Sequence, residues 1–308
     1  MRKLEFGRPM LHGQGASEAR SPQIADYAAI SARRDPASDT AARPKVSVIT
    51  VCRNARATIG RAIDSVHAQS FPDIEHIIVD GASDDGTQEY VAKRLRPQDC
   101  LISEKDGGIS DAFNKGVALA RGEFVQILNA DDWLSEDQIE VALEVANRTG
   151  ADFVFGDLIF YERGEPSFRY CGDPDYAGKL RTHLPAMNHP TVLARRAAYE
   201  KIGLFSREYQ CAMEYDWFLR LHQTGARGVH DGRIVCHMTH EGVSNRRFAR
   251  TLAEVRQISV KYGRSALAAR FDEVLRLVKV RASFLVRGRS ERIYRFVRRT
   301  INPSYKSL

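Results

Sequence analysis

Two adjacent carboxylates, Asp131 and Asp132, follow an apolar run in the stretch F-V-Q-I-L-N-A-D-D-W-L (124–134). Neighbouring acids repel each other, and a divalent cation or hydrogen bonds from a ligand relieve that repulsion. Mg²⁺ and Mn²⁺ commonly take one or two protein carboxylates and complete their shell with phosphates and water. The pair therefore predicts a metal site, with Asn129 beside it to hold a hydroxyl or a neighbouring carboxylate. The alternative is that both acids only cap the turn and helix that follow.

The elements that must position these acids alternate between strand and helix. Apolar, β-type runs cover 46–51, 74–79, 100–103 and 124–128, and helical spacing lies between them, at 59–69, 87–95 and 110–120. Short connections of this kind predict a parallel sheet with right-handed crossovers, an α/β fold whose ligands bind beyond the carboxyl ends of the strands. Acids stand at or just beyond those ends and are expected to face one crevice: Asp80, Asp84, Asp106, Asp131 and Asp132.

The second half of the chain alternates less regularly. We expect strands over 152–161, 167–171, 190–193 and 228–238, a hairpin turn at 164–166, and helices over 214–223 and 248–262. Residues 1–44 are rich in Ala, Ser, Arg, Gly and Pro and predict a mobile extension. The last 45 residues hold twelve Lys and Arg but three acids, which predicts a basic amphipathic helical tail.

The composition limits the classes of protein to which this chain can belong. The chain has 308 residues, 43% of them hydrophobic, and a net charge of +7 with a pI near 9.2. That charge allows an anionic partner without selecting one. The five cysteines are scattered and form no C-x-x-C pair, which predicts reduced, buried thiols. With no apolar run near 18 residues and no signal-peptide pattern, the sequence predicts a cytoplasmic protein.

Five segments in this order resemble the inverting glycosyltransferases of family 2, which have the GT-A fold. They are V-S-V-I-T-V-C-R-N, A-I-D-S-V-H-A-Q-S-F, I-I-V-D-G-A-S-D-D-G-T, S-E-K-D-G-G-I-S-D-A-F-N-K-G and I-L-N-A-D-D-W-L. The resemblance is tight over 45–135 and weaker to about 245. It implies a GT-A domain over 45–245, between the extension at 1–44 and a basic helical tail at 246–308. It also implies a nucleotide-diphosphate sugar as donor, most often a UDP-sugar, with Mn²⁺ or Mg²⁺ on its diphosphate.

The resemblance also assigns residues. It implies that the donor is bound by the residues Thr50, Arg53, Asn54, Asp80, Asp84, Asp106, Asn129 and Asp131, and that the metal is held by Asp131 and Asp132. Asn114 and Lys115 share a helix face and are further candidate donor contacts; Lys115 either touches the donor or is structural. Two positions depart from the family pattern. Asn129 stands at the first position of the D-x-D element, and Gly81 stands where many members have a second acid, which leaves the identity of the base open.

An inverting transfer is one in-line displacement and needs a general base for the acceptor hydroxyl. The resemblance implies Glu214 for this role, with Asp216 as the alternative; both could instead complement a helix start. His189 either lines the sugar pocket or is a packed histidine, and Trp133 and Trp217 either stack on a sugar or belong to the core. His237 and His240 suggest zinc by their spacing, but no second ligand pair accompanies them, so we reject a zinc site. Residues 241–244 match a loop that lies near the diphosphate in family members.

The tail suggests a partner. Phe284, Leu285 and Phe296 could insert into an anionic membrane surface while arginines contact headgroups, which suits a lipid-linked or glycan acceptor in cell-envelope or polysaccharide synthesis. A helical pair packed on the domain is the alternative, and no nucleic-acid motif is present. The leading hypothesis is a metal-dependent inverting glycosyltransferase, peripheral on the inner face of the membrane. A nucleotidyltransferase and a non-catalytic nucleotide-sugar-binding or scaffold protein remain open.

Overall fold

The computed structural model describes residues 20–33, 43–180, 187–239, 248–287 and 304–307. The strands are β1 (Val46–Cys52), β2 (Ile74–Asp80), β3 (Cys100–Ser103), β4 (Phe124–Asn129), β5 (Trp133–Leu134), β6 (Phe153–Glu162), β7 (Glu165–Tyr170), β8 (Leu193–Arg195), β9 (Gly228–Thr239) and β10 (Tyr305–Ser307). The helices are α1 (Ala28–Ser31), α2 (Ile59–His67), α3 (Thr87–Ala92), α4 (Ile109–Leu119), α5 (Gln138–Thr149), α6 (Tyr176–Lys179), α7 (Arg196–Ile202), α8 (Met213–Gln223), α9 (Phe248–Lys261) and α10 (Ala266–Arg287). Short 3₁₀ turns cover Ile24–Tyr27 and His189–Thr191.

The predicted α/β alternation of the first half is confirmed. Strand β1 pairs in parallel with β2 and β4, and β2 pairs in parallel with β3. Every residue of β1 and β2 is buried, as expected when helices cover both faces of a parallel sheet. The register sets Cys52 beside Asp80, Asp80 beside Ser103, and Val51 beside Asn129. The strands therefore end at one edge.

The second half adds antiparallel strands and makes the sheet mixed. Strand β8 lies between β4 and β6, antiparallel to both, while β6 pairs with β7 antiparallel and with β9 in parallel. The strand predicted at 190–193 is wrong, because the chain makes a 3₁₀ turn at His189–Thr191 and pairs only at Leu193–Arg195. Proline lacks the N–H that a ladder needs, and the carbonyl of Pro190 accepts from Gln126 Nε2 at 2.8 Å.

Two apolar layers enclose the sheet. One contains Phe113 of α4 with Phe205 and Trp217, and the other packs α5 against β1, β4 and β6. Trp217 is fully buried and stacks on Tyr199 with 4.5 Å between ring centroids. It therefore belongs to the core and not to a sugar-binding surface.

Residues 20–33 pack on the domain, so the expectation of a mobile segment over 1–44 is corrected for this stretch. The Tyr27 hydroxyl donates to Asp111 Oδ1 at 2.8 Å, and the Ser31 hydroxyl donates to the Ala118 carbonyl at 2.8 Å. Arg33 forms an ion pair with Glu104 at the end of β3. Composition hid this docking because the partners lie more than 70 residues away in sequence.

The C-terminal segment begins with the packed helices α9 and α10 and returns to the sheet, where β10 pairs antiparallel with β7. This last strand departs from the purely helical tail that was expected. Within the described ranges, no helix combines the length and apolar composition that crossing a bilayer requires.

All five cysteines are free thiols, but only Cys52 and Cys236 are buried, so the expectation of buried thiols holds for those two.

Candidate active site

Asp132 lies at the edge where β1 and β4 end. Its side chain is 1% exposed. Oδ2 accepts a hydrogen bond from Asn129 Nδ2 at 2.8 Å, while Oδ1 has no partner in the part of the chain that the structure describes. Burial, and then the charge of Asp131, raise the pKa of Asp132 well above its usual value. A buried carboxyl with one free oxygen is unfavourable unless a ligand completes it.

Asp131 and Asp132 suit a divalent cation that brings most of its own ligands. Asp131 is half-buried beside Asp132, and its backbone carbonyl accepts from Arg61 Nη2 at 3.4 Å. Within the described ranges, no three His, Cys, Asp or Glu side chains are grouped closely enough to hold a metal. A cation here would therefore need phosphate and water ligands, which is the usual coordination of Mg²⁺. The role of Asn129 is to hold Asp132, one of the two roles that the sequence suggested.

Glu214 lies at the start of α8. Its side chain is 32% exposed, and its charge raises the pKa of Asp132 further. Oε1 of Glu214 lies 3.0 Å from Nδ1 of His189. His189 is buried, and its ring contacts Phe113, Phe205 and Phe218 at centroid distances of 5.8–6.2 Å. The aromatic packing fixes the imidazole, and the imidazole restrains a partly exposed carboxylate.

Asp216 points away from Glu214, since residues two apart on a helix lie on nearly opposite faces. It is 1% exposed. Its Oδ2 accepts from Arg220 Nε at 2.9 Å and its Oδ1 from the Tyr262 hydroxyl at 3.0 Å. One oxygen is bonded within α8 and the other to the residue that follows α9, so both have partners within the protein, which favours a structural role for Asp216 over that of the alternative base.

Asp80 and Thr50 lie on strands β2 and β1, near the edge where these strands end. Asp80 is fully buried and accepts from Ser83 N at 3.0 Å and from the Ser103 hydroxyl at 2.6 Å. The Thr50 hydroxyl bonds with His76 Nε2 at 2.9 Å. Both side chains are satisfied by the protein. A contact of either side chain with the nucleoside stays a prediction.

The loops after β1 and β2 are tied together. Asn54 donates its N–H to Ser83 Oγ at 2.8 Å, and its Oδ1 accepts from Asp84 N at 3.1 Å. The side chains of Arg53 and Asp84 are exposed at this edge and are available for a donor.

Asp106 sits over Gly81. Its Oδ1 accepts from Gly108 N at 2.8 Å, and its Oδ2 would lie 2.5 Å from a Cβ placed on Gly81. Stem atoms of Arg53 lie 3.5 Å from that same Cβ position. The carboxylate of Asp106 therefore occupies the space that a side chain at residue 81 would need, and Gly81 and Asp106 are complementary.

Asn114 and Lys115 are both bonded within the protein. Asn114 is fully buried, donates to the Phe205 carbonyl at 2.9 Å and accepts the Phe205 N–H at 2.9 Å. Lys115 Nζ lies 2.7 Å from Glu104 Oε1 and donates to the Lys105 carbonyl at 3.0 Å. Lys115 thus fixes the loop that carries Asp106, and a donor contact by Asn114 or Lys115 stays a prediction.

The contacts of two residues near the site, Arg61 and Glu254, were not predicted from the sequence. Arg61 of α2 stacks on Trp133, with its guanidinium carbon 3.7 Å from the ring centroid, and Trp133 also stacks on His237. Trp133 is thus a link between α2 and β9, not a core residue.

Glu254 of α9 accepts the N–H groups of residues 210–212, just before α8. No local pattern signals either contact, because each joins distant segments. His240 and the loop at 241–244 lie outside the described residues.

Comparison with known proteins gives the family. The model for glycosyl transferase family 2 matches residues 47–203, about half of the chain. The chain belongs to glycosyl transferase family 2. A PGL/p-HBAD biosynthesis glycosyltransferase of Mycobacterium bovis is 30% identical over 184 residues, covering 58% of this chain and 70% of that protein. The succinoglycan biosynthesis protein ExoO of Rhizobium meliloti is 31% identical over 153 residues, covering 49% and 44%.

Solved structures confirm the GT-A fold of this family 2 glycosyltransferase. The mannosyltransferase PcManGT from Pyrobaculum calidifontis, in complex with GDP-Man and Mn²⁺, has a TM-score of 0.54 at 21% identity and covers 79% of this chain and 72% of its own. S. aureus TarS 1–349 in complex with UDP-GlcNAc has a TM-score of 0.54 at 19% identity, covering 73% and 69%. The relatives place the chain among glycosyltransferases of polysaccharide or glycan biosynthesis.

Proposed function

We propose that this glycosyltransferase is inverting and metal-dependent, and that it moves a sugar from a nucleotide-diphosphate sugar to a hydroxyl of a glycan or lipid-linked acceptor. One observation carries the proposal. A partly exposed carboxylate, Glu214, is held by the buried His189 and lies near enough to the buried acid Asp132 to raise the pKa of Asp132, which retains a free oxygen. An inverting transfer needs these two functions together: a base on the acceptor side, and compensation for the leaving diphosphate.

Each residue of the site would have a distinct task. Asp131 and Asp132 would hold Mn²⁺ or Mg²⁺, which supplies charge compensation for the diphosphate when bound. Glu214 would accept the proton of the acceptor hydroxyl. His189 would act as a positioning residue, since it lies 3.0 Å from Glu214 and is itself fixed by three aromatic rings. Arg53, Asp84 and Asp106 are the exposed or partly exposed donor contacts that the geometry favours.

The donor base is proposed to be uracil, with guanine as the comparison. Similar structures hold UDP-GlcNAc in one case and GDP-Man in another. Thermal stabilisation by a panel of UDP- and GDP-sugars in the presence of Mn²⁺ would rank the bases. A GDP-sugar that stabilises the protein more than any UDP-sugar would overturn this choice.

The test of the reaction is hydrolysis of the stabilising donor with Mn²⁺, comparing wild type with Glu214→Gln and Asp132→Ala. Loss of a general base typically costs 10²- to 10⁴-fold in rate, and Asp132→Ala should abolish the dependence on Mn²⁺. Glu200→Gln is the matched control, because Glu200 is a half-exposed carboxylate on α7. If both site variants keep the wild-type rate, the assignment is wrong. Donor stabilisation without turnover in wild type would instead indicate a non-catalytic nucleotide-sugar-binding protein.

His189→Gln tests the positioning role. We expect kcat to fall about tenfold, a modest share of the effect of a general base, with the KM for donor unchanged. Because His189 would act through Glu214, the same substitution should have no further effect in a Glu214→Gln background. An equal loss in both backgrounds would assign His189 a different role.

We also propose that the chain acts at the inner face of the membrane as a peripheral protein. The residues on which this depends are argued in the next subsection.

A further inference from the structure

Helix α10 turns its apolar side outward. Among the described residues, six large hydrophobic side chains are exposed, and five of them lie on this helix: Leu267 (84%), Phe271 (68%), Val274 (46%), Leu275 (39%) and Val278 (57%). Residues 267, 271, 274 and 278 follow one another at spacings of four, three and four, which places them in one stripe along a helix. We call these five residues the α10 stripe.

The opposite side of α10 is polar and faces the protein. Glu273 is 7% exposed, and its Oε2 lies 3.0 Å from Arg256 Nε of α9 and 2.6 Å from Arg270 Nη1. Asp272 forms an ion pair with Arg264. A helix on the surface of a globular protein normally shows the reverse arrangement, with its apolar stripe against the core. No described residue covers this stripe, and an exposed apolar patch of this kind indicates a docking surface.

The charges beside the stripe identify the partner. Both acids of the described helix, Asp272 and Glu273, are held in ion pairs with arginines. Lys279 and Arg281 are exposed, whereas no acid of α10 is. An apolar stripe bordered by exposed cations complements an anionic lipid surface, where side chains insert and cations contact the headgroups. A second copy of this chain would bring the same cations against each other, which disfavours a dimer through this stripe.

We propose that α10 seats the protein on an anionic bilayer through the α10 stripe, with Lys279 and Arg281 at the headgroups. The stripe differs from the residues that the sequence suggested, since Phe284, Leu285 and Phe296 have no described side chains.

The position of α10 links the bilayer to the site. It packs on α9, and Glu254 of α9 accepts the N–H groups that precede α8, which begins one residue before Glu214. A bilayer bound at α10 would thus be connected to Glu214 through α9 and the loop before α8, which suits a lipid-linked acceptor. The conclusion that the acceptor is borne by lipid rests on the proposed function, whereas the lipid-binding surface does not.

The experiment is flotation of the full chain with vesicles, without donor or acceptor. One set contains phosphatidylglycerol and phosphatidylcholine, and the other contains phosphatidylcholine alone. Phe271→Ser/Val278→Ser removes apolar area from the stripe, and Lys279→Gln/Arg281→Gln removes two charges beside it. Lys93→Gln/Arg148→Gln is the matched control, since it removes two exposed cations far from α10 in sequence. Sedimentation velocity of the same proteins measures self-association.

We expect wild type and the control to float with anionic vesicles and not with neutral ones. The stripe variant should lose binding at least tenfold. The charge variant should lose roughly thirtyfold, because each cation near an anionic surface contributes about fivefold. Equal flotation of all four proteins would overturn the proposal. So would a dimer that only the stripe variant dissociates, without flotation of wild type, because the second copy would then cover the stripe. Flotation without donor hydrolysis would keep the lipid surface and reject the proposed function.

Discussion

Glu254 of α9 is expected to hold the start of α8, and its removal gives a quantitative test. Its carboxylate accepts from Cys211 N at 2.7 Å and Ala212 N at 3.0 Å, and it also lies 3.1 Å from Gln210 N. Burial alone would raise the pKa of Glu254, but these N–H groups and Arg250 lower it overall. The loop before Glu214 therefore depends on a charge supplied by a helix 40 residues later.

The cost of Glu254→Ala follows from these contacts. Ala212 is buried, so its unpaired N–H would cost about 1–3 kcal/mol, while the more accessible N–H groups of residues 210 and 211 would each lose about 0.5–1.5 kcal/mol. The sum is about 2–6 kcal/mol of the free energy of unfolding. Glu254→Gln keeps one neutral acceptor and should cost about 1–2 kcal/mol.

Urea unfolding followed by circular dichroism measures these costs, and initial rates of donor hydrolysis measure the effect on the site. We expect kcat to fall because Glu214 lies two residues after the loop, while the KM for donor stays unchanged. Arg250→Gln is the control. It removes a half-exposed ion-pair partner of the same carboxylate and should cost about 0–1 kcal/mol. If Glu254→Ala costs less than about 1 kcal/mol, the carboxylate does not hold this loop.

Three further predictions concern stability and the donor site. Burial lowers the pKa of His76 from 6.5 to about 3. Below pH 6.5 the unfolded chain therefore binds a proton that the folded chain does not bind. The free energy of unfolding should accordingly fall by about 2 kcal/mol from pH 7 to pH 5. Urea unfolding at both pH values should show a smaller decrease in the free energy of unfolding for His76→Gln than for wild type. An equal decrease in the two proteins would contradict this prediction. Arg220→Met leaves the buried Asp216 with Tyr262 alone and should lower the free energy of unfolding by about 3–5 kcal/mol. The exposed Arg148→Met is the control and should lower it by about 0–1 kcal/mol. Equal urea midpoints for the two variants would refute the structural role of Asp216. Gly81→Asp places a Cβ 2.5 Å from Asp106 Oδ2 and adds a like charge, so calorimetry should show at least about tenfold weaker UDP binding, a cost of about 1.4 kcal/mol, with Gly81→Ala weakened less. Unchanged affinity in Gly81→Asp would show that Asp106 takes no part in binding.

The sequence by itself determined the parallel half of the fold and the edge of the sheet at which the acids lie. Runs of buried β-type residues and helical spacing are local properties, and the carboxyl ends of parallel strands necessarily meet at one edge. Asp131, Asp132 and Asn129 could therefore be placed before any coordinates. The strand predicted at 190–193 was misplaced because a proline in an apolar run can end a strand as easily as join one.

Only the tertiary structure decided which polar residues face the crevice. Asp80, Thr50, Asn114 and Asp216 have the side chains that a ligand site needs, but each is used by partners within the protein. The pairing of His189 with Glu214 and the outward stripe of α10 are likewise invisible in one dimension. Residue type fixes what a side chain can bind, whereas its neighbours across the fold fix what it has already bound.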